Sequence, residues 1–95
     1  MKKPIALRLT GSRVTTVPAI CRGDWGLHPA QRKRSAWSIS HIPTGFRLVT
    51  IFSCFYARKC FRETASQIYH WDGQGETPKE FIDTYKPIAF RYLRE

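Results

Sequence analysis

Trp37-Ser38-Ile39-Ser40-His41-Ile42-Pro43-Thr44-Gly45-Phe46-Arg47-Leu48-Val49 is the stretch on which the fold turns. Trp37, Ile39 and His41 alternate with Ser38, Ser40 and Ile42, and beyond the turn Phe46 and Leu48 alternate with Arg47 and Val49. Both arms therefore carry the period of two that marks strands. Pro43 has the φ required at the second position of a type I turn, and Gly45 can take the positive φ that returns the chain to a strand through a one-residue bulge. The stretch reads as a β-hairpin. A slip of one residue would move Trp37 and Ile39 to the opposite face, so the turn decides which side chains enter the core.

Working towards the N-terminus, Arg32-Lys33-Arg34 lies in a segment, residues 30 to 36, that has no apolar periodicity and reads as an exposed loop. Before it, Leu27-His28 reads as a short third strand ended by Pro29. Gly23-Asp24 and Gly26 bracket Trp25 in a turn. Val14 to Val17 is β-branched throughout and reads as a second strand, with Pro18 at its end or at a sheet edge. Ile5, Leu7 and Leu9 alternate with Ala6, Arg8 and Thr10 as a first strand closed by Gly11-Ser12.

Towards the C-terminus the period changes from two to near 3.6 at about Ser53. Ile51, Cys54, Ala57, Phe61, Ala65 and Ile68 share one side, which predicts a helix over about 53 to 69. Asp72-Gly73-Gln74-Gly75 breaks the chain. Thr77-Pro78-Lys79-Glu80 then has the residues of a capping box with proline at the first helical position. Phe81, Tyr85, Ile88 and Tyr92 form the stripe of a last helix, with a break or kink expected near Lys86 because Pro87 removes a hydrogen bond. The expected fold is α+β: an antiparallel sheet of three to four strands, one long helix packed on it and a C-terminal helix. At 95 residues the chain has room for one core, so a single domain over 1–95 is expected.

The run Trp37 to Gly45, with Leu27-His28-Pro29 before it and an alanine-containing helix ending in Trp71-Asp72 after it, resembles small uncharacterised proteins of bacteriophages and prophages. They carry a tryptophan, a β-branched residue, Ser or Thr, His, Ile or Val, then Pro-Thr-Gly. The resemblance covers the middle half of the chain and implies a phage or mobile-element origin. It implies no activity, and no catalytic residue is carried over.

The net charge of +9 is unevenly placed. Residues 1 to 48 hold nine Lys and Arg against Asp24 alone, whereas residues 49 to 95 hold seven basic and six acidic residues. A positive field on the N-terminal half attracts polyanions. Cys21, Cys54 and Cys60 form no CxxC pair, so neither a disulfide framework nor a zinc site is expected, and a reducing compartment is. Arg8 interrupts the first apolar run, which argues against a signal peptide. The longest apolar stretch, Leu48 to Ala57, is about half of the roughly 20 residues needed to span a bilayer, so a cytoplasmic location is expected, in a host cell if the phage resemblance is followed.

Asp24 with His28 or His41 can be drawn as a dyad, but no nucleophile elbow, phosphate-binding glycine loop or paired carboxylates accompany it. The protein is expected to be non-enzymatic, with no cofactor and no metal. His41, on the face shared by Trp37 and Ile39, reads as a hydrogen-bonded histidine at the rim of the core. The leading expectation is a basic nucleic-acid binding module in which Arg32, Lys33, Arg34, Arg13, Arg22 and Arg47 contact phosphates. Trp25 is the candidate for stacking on an unpaired base, although a strand tryptophan is more often core. The other expectation is a phage-encoded inhibitor bound to a host protein complex, such as a CRISPR effector or another defence machine. A basic inhibitor of that kind needs an acidic partner surface or a bound nucleic acid.

Overall fold

The hairpin forms where its alternation places it. In a computed structural model, which describes residues 2–8, 13–30 and 36–93, β4 (Trp37–His41) and β5 (Arg47–Ile51) pair antiparallel. The His41 N–H donates to the Phe46 carbonyl at 2.8 Å, the Gly45 N–H donates to the His41 carbonyl at 2.8 Å, and Gly45 has φ 76°. The bulge lies elsewhere than expected. Ile39 pairs with Val49 but Ser40 pairs with Arg47, so Leu48 is the extra residue. The phase of β5 is set by that bulge, which sends Val49 and Ile51 into the core and leaves Phe46 57% exposed.

Three further strands precede the hairpin: β1 (Lys2–Arg8), β2 (Val14–Arg22) and β3 (Trp25–Pro29). Together they make a five-stranded antiparallel sheet in chain order, one strand more than the upper expectation. The additional length comes from Trp25, expected in a turn, and from Pro18, where of the two expectations, strand end or sheet edge, the second holds. Trp25 is the first residue of β3, opposite His41, and does not belong to a turn. Pro18 does not end β2, because Pro4 faces it across the ladder. Neither proline can donate, so the two fit where directly opposed residues exchange no hydrogen bonds, and β2 pairs with β3 only from Ile20 onward. The expected close of the first strand at Gly11-Ser12 lies outside the described residues.

The sheet has two apolar faces. Trp25, Leu27, Ile39, Val49 and Ile51 pack under the two helices, which contribute Ala57, Cys60, Phe61, Tyr85, Ile88 and Ala89. Ile5, Leu7, Val17 and Ala19 form a second cluster on the other face, joined by Cys21 and Ile42. That cluster exists because the sheet curls. A Cβ on Gly26 would lie 2.9 Å from Ile5 Cδ1 and 3.4 Å from Ala19 Cβ, so glycine lets the Ile5 side chain lie close over β3. The curl brings the end of β1 to the hairpin turn, where the Arg8 N–H donates to the Gly45 carbonyl at 2.9 Å.

Helix α1 (Cys54–Ala65) starts on Ser53, whose hydroxyl accepts the Tyr56 N–H at 3.3 Å. It stops four residues before the expected end. Ser66 and Gln67 turn their side chains onto the Glu63 carbonyl, and Ile68 is 93% exposed, so no burial remains to extend the helix. Helix α2 (Lys79–Leu93) is the longer of the two. Its first bonds run from Phe81 and Ile82 to the Pro78 carbonyl, which makes Pro78 the cap and leaves the expected Thr77 cap unformed. Pro87 does not break it. Tyr85, Ile88 and Ala89 are buried on both sides of the exposed proline, and that burial outweighs one missing bond. Glu63 accepts from Arg91 and from the Tyr92 hydroxyl, tying the helices together, and these bonds hold its carboxyl below the usual range.

Candidate functional site

The expected basic residues separate on folding. Arg13 adjoins Val14, which pairs with Arg8, and the bond from Arg8 to Gly45 sets both beside Arg47. The Arg8 guanidinium sits 5.8 Å from the centre of the Phe46 ring. This end of the sheet carries the exposed Arg8, Arg13 and Arg47, with Arg8 over the exposed Phe46 ring. Among the described residues the ion pairs are Asp24 with His70 and Glu63 with Arg91, so none of these three arginines is matched by a carboxylate. Arg22 is at the opposite end of β2, away from that corner. Arg32, Lys33 and Arg34 lie outside the described residues.

Trp25 is 3% exposed. Phe81 stacks on it at 5.9 Å, and Tyr85 and His41 tilt against it at 4.7 and 5.0 Å. Its ring is therefore engaged within the protein, which argues against the expected role as a stacking platform. The exposed aromatic ring beside the arginines is Phe46. Trp37 is half-buried against the same core as Trp25.

A pocket of about 100 Å³ opens next to this corner, with Trp25, His41, Phe46, Arg47, Trp71 and Phe81 in its wall. The connection between the helices closes it. His70 binds Asp24 at 3.1 Å, the Tyr85 hydroxyl donates to the Tyr69 carbonyl at 2.6 Å, and Trp71 lies parallel to His41 at 5.6 Å. A second, more open depression of about 480 Å³ is lined by Asp24, His70, Trp71 and Asp72. Its two carboxylates disfavour an anion there.

The two buried histidines differ in their bonding. His28 Nδ1 is 2.9 Å from the Pro29 carbonyl, which can only accept, so Nδ1 carries the proton and Nε2 accepts from Ser40 Oγ at 2.8 Å. Burial lowers the pKa of His28. A hydroxyl on an imidazole nitrogen is the geometry of base-activated nucleophiles, but Ser40 and His28 are almost wholly buried and Nδ1 faces a carbonyl in place of a carboxylate. The other drawn dyads do not form, since Asp24 bonds to His70. His41 meets the expectation of a hydrogen-bonded histidine at one nitrogen: Nδ1 contacts Thr44 Oγ1 at 3.0 Å, whereas Nε2 has no hydrogen-bond partner. Burial lowers its pKa too, opposed by the negative charge of Asp24 and by the nearby Trp71 carbonyl, which lies close without closing a hydrogen bond.

Among the described residues no group of three His, Cys, Asp or Glu side chains is arranged to hold a metal ion, and no helix is long and apolar enough to cross a membrane. Cys60 is buried, and its thiol is pushed up to about 11 by burial. No family model, curated protein or solved structure matches the chain. Phe46 and Trp71 were not singled out from the sequence as site residues, and Arg8 was one of the basic residues of the N-terminal sheet that turns could gather on one face. A phenylalanine directly beside an arginine in a hairpin was a signal for Phe46; for Arg8 and Trp71 the placement is tertiary.

Proposed function

We propose that the protein is a non-enzymatic nucleic-acid binding module, which holds phosphates on Arg8, Arg13 and Arg47 and stacks an unpaired base on Phe46. The observation that carries this reading is the end of the sheet where Arg8 lies over the exposed Phe46 ring near Arg13 and Arg47, none of the three paired to a carboxylate among the described residues. Cations left unpaired beside a π surface suit a single strand, since the phosphates contribute affinity and the ring accepts any base. Arg32, Lys33 and Arg34 belong to the same reading by charge, and Arg22 extends it towards the other end of β2. The resemblance to phage and prophage proteins sets this activity in the cytoplasm of a bacterial host.

Anisotropy titrations of a labelled single strand at several salt concentrations test it. Three neutralised phosphates correspond to a change of about 2 units in the slope of log affinity against log salt. The Arg8→Ala/Arg13→Ala/Arg47→Ala variant should lose that amount. Absence of binding by the wild type at low salt, or equal slopes for both proteins, would overturn the reading. An inhibitor of a host protein complex, such as a CRISPR effector, is the second reading. It is favoured by the exposed Ile82, Phe90 and Leu93 along α2, an apolar stripe that a protein partner would cover. Recovery of a partner from host lysate that survives nuclease treatment and is lost in Phe90→Glu would move the weight to it.

A further inference from the structure

We infer that the outer face of α1 is a second phosphate-binding surface, which takes the continuation of a single strand held at the arginine corner. This inference rests on the nucleic-acid reading above and extends it to a face that has no part in it. Phe55, Arg58, Lys59 and Arg62 recur at the spacing that sets side chains on one side of a helix, and all four are exposed. Ala57, Cys60, Phe61 and Thr64 form the buried side, so the cations point away from the sheet.

Unmatched charge singles out this face. The Lys59 ammonium lies 5.3 Å from the centre of the exposed Phe55 ring, and Lys86 lies 5.7 Å from that of Phe90 on α2, so both helices repeat the pairing of Arg8 with Phe46. On α2, however, Lys79 and Lys86 share the exposed surface with Glu80 and Asp83, and the charges offset one another. The sole carboxylate of α1 is Glu63, which Arg91 and the Tyr92 hydroxyl engage. Among the described residues none of Arg58, Lys59 and Arg62 is paired to a carboxylate, which leaves three positive charges in little more than one turn.

Position links this face to the corner. β5 leaves the turn at Arg47 and ends at Ile51, opposite Trp37, and α1 begins directly after Ser53. From Arg47 to the exposed Phe52 the extended chain covers about 16 Å, at about 3.3 Å per residue. Single-strand sites run up to about 16 nucleotides, and even at the duplex rise of about 3.4 Å per nucleotide such a strand outreaches the protein's long axis of 33 Å.

Cys54, a free and exposed thiol at the start of α1, reports on this face through its reaction with iodoacetamide, read from the mass of its peptide. The probe is a labelled single strand of about 16 nucleotides at low salt, with anisotropy recorded on the same samples. At a free strand concentration of about ten times Kd, alkylation of Cys54 should slow about tenfold. Arg58→Ala/Lys59→Ala/Arg62→Ala should abolish that protection and lower the slope of log affinity against log salt by about 2 units, with the melting temperature unchanged. A strand that binds without slowing Cys54, or protection that survives the triple variant, overturns the second surface and leaves the corner standing. Absence of binding by the wild type at low salt overturns both.

Discussion

Gly45 is the residue on which fold and proposed site both depend. Its φ of 76° strains any other side chain, and a Cβ there would lie 2.9 Å from the Ala6 carbonyl and 3.2 Å from the Arg8 nitrogen. Gly45→Val should cost more than about 1 kcal/mol, read as a lower urea midpoint, since strain at such a position alone is worth about 1 to 3 kcal/mol. The same change pushes β1 from the turn, so binding should weaken more than the loss of stability explains. An unchanged midpoint would refute the turn geometry. The histidines predict a pH response of definite sign. Both are buried with lowered pKa values, so between the folded value and the ordinary one near 6.5 the unfolded chain binds more protons. Stability is thus complete above about pH 6.5 and falls as the pH drops through that range. Urea midpoints between pH 5 and 7.5 should show this decline, and His41→Asn should make it shallower; a flat wild-type profile would mean that neither histidine is held neutral by the fold.

The elements were legible in proportion to how much of their structure is local. Alternation plus the Pro43-Thr44-Gly45 turn sufficed for the hairpin, because its two strands are consecutive and the turn between them brings Trp37 opposite Ile51. Trp25 was misread by its neighbours: with Gly23 and Gly26 near it the segment looks like one longer turn, whereas Gly23-Asp24 alone makes the turn and Trp25 already pairs with Arg22 of β2 and with His41 of β4. The shortfall of α1 is tertiary in origin, since nothing in Ile68 itself says that no surface will cover it. Pro87 shows a local rule overridden by burial, and the overriding has a measurable residue. An interior proline costs about 3 kcal/mol relative to alanine, of which up to about 1 kcal/mol is returned through the less flexible unfolded chain. Pro87→Ala should therefore stabilise the protein by about 2 kcal/mol. No gain in urea midpoint would mean that the helix is already broken in solution at Lys86.

At the scale of the molecule, curl is what the sequence could not announce. Arg8 and Arg47 belong to strands at opposite ends of the sheet order, and the sheet curls until the Arg8 N–H bonds to the Gly45 carbonyl, two residues before Arg47. The charge excess of the N-terminal half was legible, whereas its division into a corner with Phe46 and a remote Arg22 was not. That division bears on how the two basic groups act together. The arginines at the corner are exposed, so alanine at each should change stability by less than about 0.5 kcal/mol, with Arg8 somewhat higher for its contact with Phe46, and the same bound is expected at Arg32, Lys33 and Arg34. In counterion release each neutralised phosphate counts separately, so groups that engage the same strand have additive slopes. The corner variant and an Arg32→Ala/Lys33→Ala/Arg34→Ala variant should each lower the salt slope on single strands by about 2 units, and the combined variant by about 4. The losses should be alike for strands of any sequence, since phosphate contacts position the chain without reading bases. A combined loss no larger than that of the corner alone would remove Arg32, Lys33 and Arg34 from the interface.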